Sequence, residues 1–230
     1  IGHPSTQGLT ATTGTFSGNT TVAGTSTFTG DITIGDASAA DKKILFDGNA
    51  QDFHIGLDDS TDSLTIGLGS ALGTTTYMKI DANGIITKPL QPAFSAYLSG
   101  TQSNFAADDS PIPIAFATER FDQNADYNNG NYTFTAPVTG KYQFNITVYI
   151  QAIDTAANYY YINLSTSNDQ YYQSYDPGGL SADINYLPLN LSQLVDMDVG
   201  DTAVANVLQS NGTAQSDINS NSFFSGALIC

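Results

Sequence analysis

Between Tyr142 and Ile150 the apolar side chains fall on every second residue: Tyr142, Phe144, Ile146, Val148 and Ile150, with mostly polar residues between them. A period of two puts all five on one face of an extended strand, whereas a helix would scatter them around its axis. The stretch therefore predicts a strand with one core face and one more polar face. Phe94/Ala96/Leu98 and Leu187/Leu189/Leu191 repeat the alternation, and Tyr132/Phe134, Ile162/Leu164 and Phe224/Leu228 are shorter cases. No segment carries a convincing 3.6-residue period. The fold class is all-β, and many strands separated by Gly, Pro and Asn predict a sandwich.

Composition narrows the partners. Hydrophobic residues make up 40% of the 230, enough for a packed core, but charged residues only 12%, against roughly 25% in an ordinary domain. Six Lys+Arg face 22 Asp+Glu, a net charge of -16. Nucleic acid is excluded as a partner, because it needs clustered cations to displace its counterions. Attraction to an anionic membrane is disfavoured for the same reason. No apolar run approaches the roughly 18 residues of a membrane span, so no membrane insertion is expected. The single cysteine, Cys230, is the last residue, which excludes an intrachain disulfide. It reads as an inert strand end, or as an interchain contact near a symmetry axis. The chain begins at Ile1 and not at Met, so it is read as a fragment or a processed product.

Three segments follow in order. In residues 1–35, Phe16/Phe28, Gly18/Gly30 and Val22/Ile34 recur at a spacing of 12, the mark of a repeating β architecture. Each repeat holds about two large apolar groups and cannot bury them against itself. Intertwined identical chains, forming a repetitive trimeric β-shaft, are the simplest solution. A flexible Gly/Thr/Ser linker is the other reading, but linkers need no recurring Phe and Val/Ile. Residues 36–90 alternate short apolar pieces (Ile44-Leu45-Phe46, Phe53-His54-Ile55-Gly56-Leu57, Leu64-Thr65-Ile66-Gly67-Leu68) with Asp/Asn/Gly breaks. They predict a small β-prism or meander module. Pro89 and Pro92 mark a boundary, and residues 91–230 carry the longer strands.

The last segment resembles a known family. Pro92-Ala93-Phe94-Ser95-Ala96 is similar to the opening strand of the globular head of complement-first-component q, a tumour-necrosis-factor-like jelly roll. The run Gly130-Asn131-Tyr132-Thr133-Phe134-Thr135-Ala136-Pro137-Val138-Thr139-Gly140-Lys141-Tyr142-Gln143-Phe144 resembles the family's Gly, aromatic, Ala-Pro, Gly, Tyr, Phe signature. Val199-Gly200-Asp201 and Ser222-Phe223-Phe224-Ser225-Gly226-Ala227-Leu228-Ile229 resemble its late Gly-Asp turn and closing strand. The resemblance implies a ten-stranded jelly roll assembled as a homotrimer. Animal members usually carry a collagen stalk, with Gly at every third residue; none is present here. Residues 10–87 instead resemble the repeats and shaft modules of bacteriophage tail fibres, the Thr-Phe-Ser-Gly and Leu-Phe-Asp-Gly-Asn segments most of all.

No enzyme constellation emerges. The histidines, His3 and His54, lie outside the head, which excludes Ser/His/Asp triads and His-bound metals there. Asp58-Asp59 reads as a turn before it reads as half of a glycosidase pair. Asp108, Asp109, Asp196, Asp198 and Asp201 offer oxygens to Ca²⁺, which takes six to eight, but the spacing lacks a full calcium loop and solvated turns compete. The richest stretch is 159–186, with Tyr159, Tyr160, Tyr161, Tyr171, Tyr172, Tyr175 and Tyr186. Tyrosine joins an apolar body to a polar tip, which suits recognition surfaces. Tyr171, Tyr172, Tyr175 and Asp176 are read as an exposed receptor-binding loop, and Tyr159 to Tyr161 as strand or interface residues. The sequence thus describes a non-enzymatic virion fibre end, extracellular and homotrimeric. Its head binds a host-cell surface glycan or protein, and other virion tail proteins join through the part missing before Ile1. A secreted complement-like or cytokine-like ligand is the alternative, and a tail-spike depolymerase the third reading.

Overall fold

The computed structural model describes residues 14 and 17–230, and divides the chain into two units, Ile1–Ala39 and Ala40–Cys230. In the first, the described residues 17–39 form bends and no strand, and Val22, Phe28, Ile32 and Ile34 are exposed. Among the described residues the single chain thus forms none of the strands expected of a β-shaft. The physical reason is the one the repeats imply: two apolar groups per twelve residues find nothing in their own chain to bury them. Phe16, the partner of Phe28 in the repeat, lies outside the described residues.

The second unit holds seventeen strands. Five form a meander: β1 (Lys42–Phe46), β2 (Phe53–Asp58), β3 (Ser63–Leu68), β4 (Thr76–Ile80) and β5 (Ile86–Thr87), paired antiparallel in that order. The others are β6 (Ala93–Tyr97), β7 (Ile112–Pro113), β8 (Thr118–Asp122), β9 (Tyr127–Asn128), β10 (Thr133–Thr135), β11 (Gly140–Ile153), β12 (Tyr159–Thr166), β13 (Gln170–Tyr175), β14 (Ile184–Met197), β15 (Thr202–Ser210), β16 (Asp217–Ile218) and β17 (Phe223–Leu228). They make two sheets, β13-β12-β15-β10-β9 and β14-β11-β17-β6-β8, with β7 added beside β15 and β16 beside β11. Twelve strands thus form two facing antiparallel sheets, five along each path and one short strand added to each, the jelly roll expected from the sequence.

The alternation places the core. Tyr142, Phe144, Ile146, Val148 and Ile150 of β11 are all buried, as are Leu187, Leu189 and Leu191 of β14 beside them. Burying each such side chain stabilises by roughly 1.5–3 kcal/mol. Phe94 occupies the centre, stacked on Tyr127 at 4.6 Å and on Phe134 at 5.2 Å, and edge-on to Phe224 at 4.9 Å. The Pro137–Gly140 corner joins strands of different sheets, β10 and β11. It is tied down by Gly200 N donating to Ala136 O and by the Tyr142 hydroxyl donating to Val138 O.

The meander is inverted relative to the head. One face carries His54, Asp58, Ser63 and Thr65, and these polar side chains are the buried ones. The β3–β4 loop folds over it: Lys43 Nζ donates to Ser70 O, His54 Nδ1 lies 2.9 Å from Gly69 O, and Leu72 approaches Gly56. The other face is apolar except for Lys42, which stands at one end of β1 opposite Leu57. Ile44, Ile55, Ile66 and Met78 are aligned across it as one row, and Phe46, Phe53 and Leu68 as the next. Most of these side chains are exposed.

Candidate binding surface

The surface is built on β12 and β13, where alternation sorts the tyrosines. In Tyr159-Tyr160-Tyr161-Ile162-Asn163-Leu164 the even-numbered residues point into the core and are fully buried. Tyr159 and Tyr161 therefore project outward. On β13, Tyr172 and Ser174 share that outer face, because Tyr161 pairs with Ser174 and Asn163 with Tyr172. Tyr159 and Tyr161 are stacked with centroids 6.3 Å apart, and Tyr161 meets Tyr172 edge to face at 5.1 Å. With Ser174, Tyr175 and Asp176 they line an open groove of about 500 Å³.

Hydrogen bonding fixes the groove's rim. Tyr172 Oη donates to Gln170 Oε1 at 2.5 Å. Asp176 caps a single helical turn at Pro177–Gly179, accepting from Gly178 N at 2.8 Å. Burial pushes the Tyr161 hydroxyl up, and Tyr172, Tyr159 and Asp109 add to the effect, so it stays a neutral donor. Asn163 is buried in line with Tyr161; its Nδ2 donates to Gln170 Oε1, but its Oδ1 meets no donor in the chain.

Tyr172, Tyr175 and Asp176 are brought together, but of the three only Asp176 lies in a loop, just past the end of β13. Tyr171, Tyr172 and Tyr175 belong to the edge strand β13. The misreading has a simple cause: tyrosines stand on both faces of this strand, so the alternation that marks a strand is erased. Tyr171 points away from the groove and packs partly against the core. It lines a separate polar depression with Asn168, Asp169, Asp196 and Asp198, and burial, with Asp169 adding, pushes its hydroxyl up. Tyr159 and Tyr161 are the groove residues that the sequence left as strand or interface; the period-two reading of 159–164 is the signal that finds them.

The carboxylates considered for Ca²⁺ are engaged within the chain, in turns, between loops or, for Asp196, across a strand pair. Asp201 Oδ2 accepts from Asp198 N at 2.8 Å and from Asn168 Nδ2, Asp198 accepts from Thr139, and Asp196 pairs with Lys141 at 2.5 Å. Asp108 accepts from Ser110 N, and Asp109 from Asn211. Among the described residues no three His, Cys, Asp or Glu side chains converge as a metal site. Cys230 is exposed and unpaired.

Comparison with known proteins decides the family. The C1q domain pattern matches residues 93–229, from the first strand of the sandwich to just past its last. The chain belongs to the C1q-domain family. C1q domains are generally binding modules and not catalysts. Similar solved structures include the globular domain of the zebrafish complement 1qA protein, at 18% identity over 61% of this chain and 98% of that one, with a TM-score of 0.44. Murine APRIL is 8% identical over 60% of this chain and 99% of its own, with a TM-score of 0.44. A PRD1 vertex protein is 13% identical over 61% and 99%, also with a TM-score of 0.44. No curated protein sequence matches the chain.

Proposed function

We propose that this chain is a non-enzymatic, homotrimeric fibre end of a virion, whose C1q head binds a glycan or protein on a host-cell surface. The observation that carries the binding role is the groove of Tyr159, Tyr161 and Tyr172 with Asp176 at its rim. Aromatic faces stack on sugar rings or seat apolar side chains, while the hydroxyls and the carboxylate fix orientation. C1q domains typically form homotrimers and their proteins are typically extracellular. Among the described residues no helix is long and apolar enough to cross a membrane. A face suited to a second copy is present. The outward side chains of β11 from Gln143 to Gln151, and of β14 from Tyr186 to Leu194, carry no charge in a chain of net charge -16. Tyr186 and Leu194 are exposed there.

A secreted complement-like or cytokine-like ligand shares the same head. The Phe and Val/Ile repeat and the inverted meander, standing where such a ligand would carry collagen, favour the fibre. Light scattering on the full chain, with and without EDTA, is expected to give the mass of three chains. A binding screen against glycans and host cells is then expected to find a ligand lost in the Tyr159→Ala/Tyr172→Ala double variant. Affinity should drop at least about tenfold, as for the aromatic anchors of other interfaces, with the mass unchanged. Equal binding by wild type and double variant would overturn the groove as the receptor site.

A further inference from the structure

The meander's open apolar face needs a cover, and the geometry points to the same face of two further copies. In this arrangement the three sheets close as a three-sided β-prism around a dry interior. The inference rests on the homotrimeric reading above and extends it to a second, independent trimer seal.

Size rules out a free surface. Phe46, Phe53, Ile55, Leu57, Leu64 and Ile86 are 37–57% exposed. With their neighbours they present on the order of 800 Å² of apolar surface, more than a monomer's largest patch usually reaches and about what one partner contributes to a stable interface. The meander's opposite face is already covered by its own β3–β4 loop. The apolar face is thus the one side left for a partner.

Tether length selects the occupant. β5 ends at Thr87 and the head begins with β6 at Ala93, so residues 88–92 alone separate the module from the C1q domain. That linker is pinned to the head: Gln123 Nε2 donates to Lys88 O and Gln91 O, and Leu228 N donates to Pro92 O. A trimeric head therefore holds three modules at a millimolar effective concentration of one another, which no foreign partner matches. Charge permits the contact. The chain carries 22 acidic residues, yet none lies on the strands of this face; its one charged strand residue is Lys42, at the end of β1 opposite Leu57, so copies meet across its middle without opposing charges. Upstream, Val22, Phe28, Ile32 and Ile34 are exposed as well; further copies of the chain would offer each segment its own like, whereas a heterologous partner would need a surface for each.

The prism makes a positional prediction. β3 is the middle strand of the five, so Ile66 lies on the midline of the face and approaches the axis. In the full chain with Cys230→Ser, Ile66→Cys oxidised during assembly is expected to yield covalent dimers on a non-reducing gel. They should take up to about two-thirds of the chains, since a disulfide joins two of every three. Leu64→Cys, on the same strand and face, repeats the test should Ile66→Cys misalign. Ala71→Cys, in the loop on the opposite face, is expected to give no dimer. A trimer mass by light scattering, with no dimer from either face variant, overturns the prism while leaving the trimeric head intact. The prism fails on that result whether the thiols label quickly, as on an open face, or slowly, as under the chain's own residues. A monomer mass overturns both.

Discussion

Gly226→Ala is expected to lower the melting temperature of the head by roughly 10 °C, a loss of about 3 kcal/mol. Gly226 lies on the core face of β17, opposite Phe144 of β11 on one side and Phe94 of β6 on the other. A methyl group there would stand 2.6 Å from Phe144 Cδ1 and 2.8 Å from Phe94 Cε1. Both rings are buried, and Phe94 is held between Tyr127, Phe134 and Phe224. They cannot yield without moving the whole aromatic cluster, because interiors are packed as densely as organic crystals. Ser225→Ala, one residue away on the outward side, supplies the control, with an expected change within about 0.5 kcal/mol. Thermal melts at equal protein concentration separate the two, since a trimer's melting temperature depends on concentration. If both variants melt together, Gly226 is not where the rings demand space.

What the sequence discloses depends on whether a residue's partner is near or far along the chain. The strand Tyr142–Ile150 announces itself because its pattern is local and one face is buried. Gly226 is half legible: a glycine in a strand signals close approach, but the ring that approaches comes from Phe144, 82 positions upstream. The meander shows the reverse. Phe53, Ile55 and Leu57 alternate as a strand should, and alternation says that one face is apolar, not that it is covered. That the loop at 69–75 closes over the polar face instead is a tertiary fact. In the groove, Tyr172, Tyr175 and Asp176 were readable from composition. The alternation of 159–164 turns Tyr159 and Tyr161 outward, but setting Tyr172 beside them needed the pairing of β12 with β13, because only register puts residues of two strands on one surface. Asp154 was not legible at all.

Asp154→Ala is expected to destabilise the head by about 3 kcal/mol at neutral pH, in the range for removing a buried, multiply bonded carboxylate. The side chain is buried at the end of β11 and accepts from the backbone amides of Ala156 at 2.8 Å and Ala214 at 2.7 Å, and from that of Thr213. It thereby pins the turn between β15 and β16, some 60 residues on. The turn is shaped to receive it: Gly212 has φ +118°, and a Cβ there would lie 2.5 Å from Asp154 Oδ2. Tyr160 completes the corner, its hydroxyl accepting from Asp154 N and meeting Ser216 Oγ at 2.9 Å. Burial by itself would push the carboxyl up, but the amides of Ala214, Ala156 and Thr213 outweigh it and hold it below the usual carboxylate range. The sign of the pH dependence follows. A group depressed in the folded state stabilises fully above its unfolded value of about 3.9, and that contribution fades as pH falls through the lower folded value. The gap between wild type and Asp154→Ala in denaturant melts should therefore be constant from pH 7 to 5 and narrow below about pH 4. A gap that stays constant down to pH 3 would mean that the side chain acts by filling space and not by its charge.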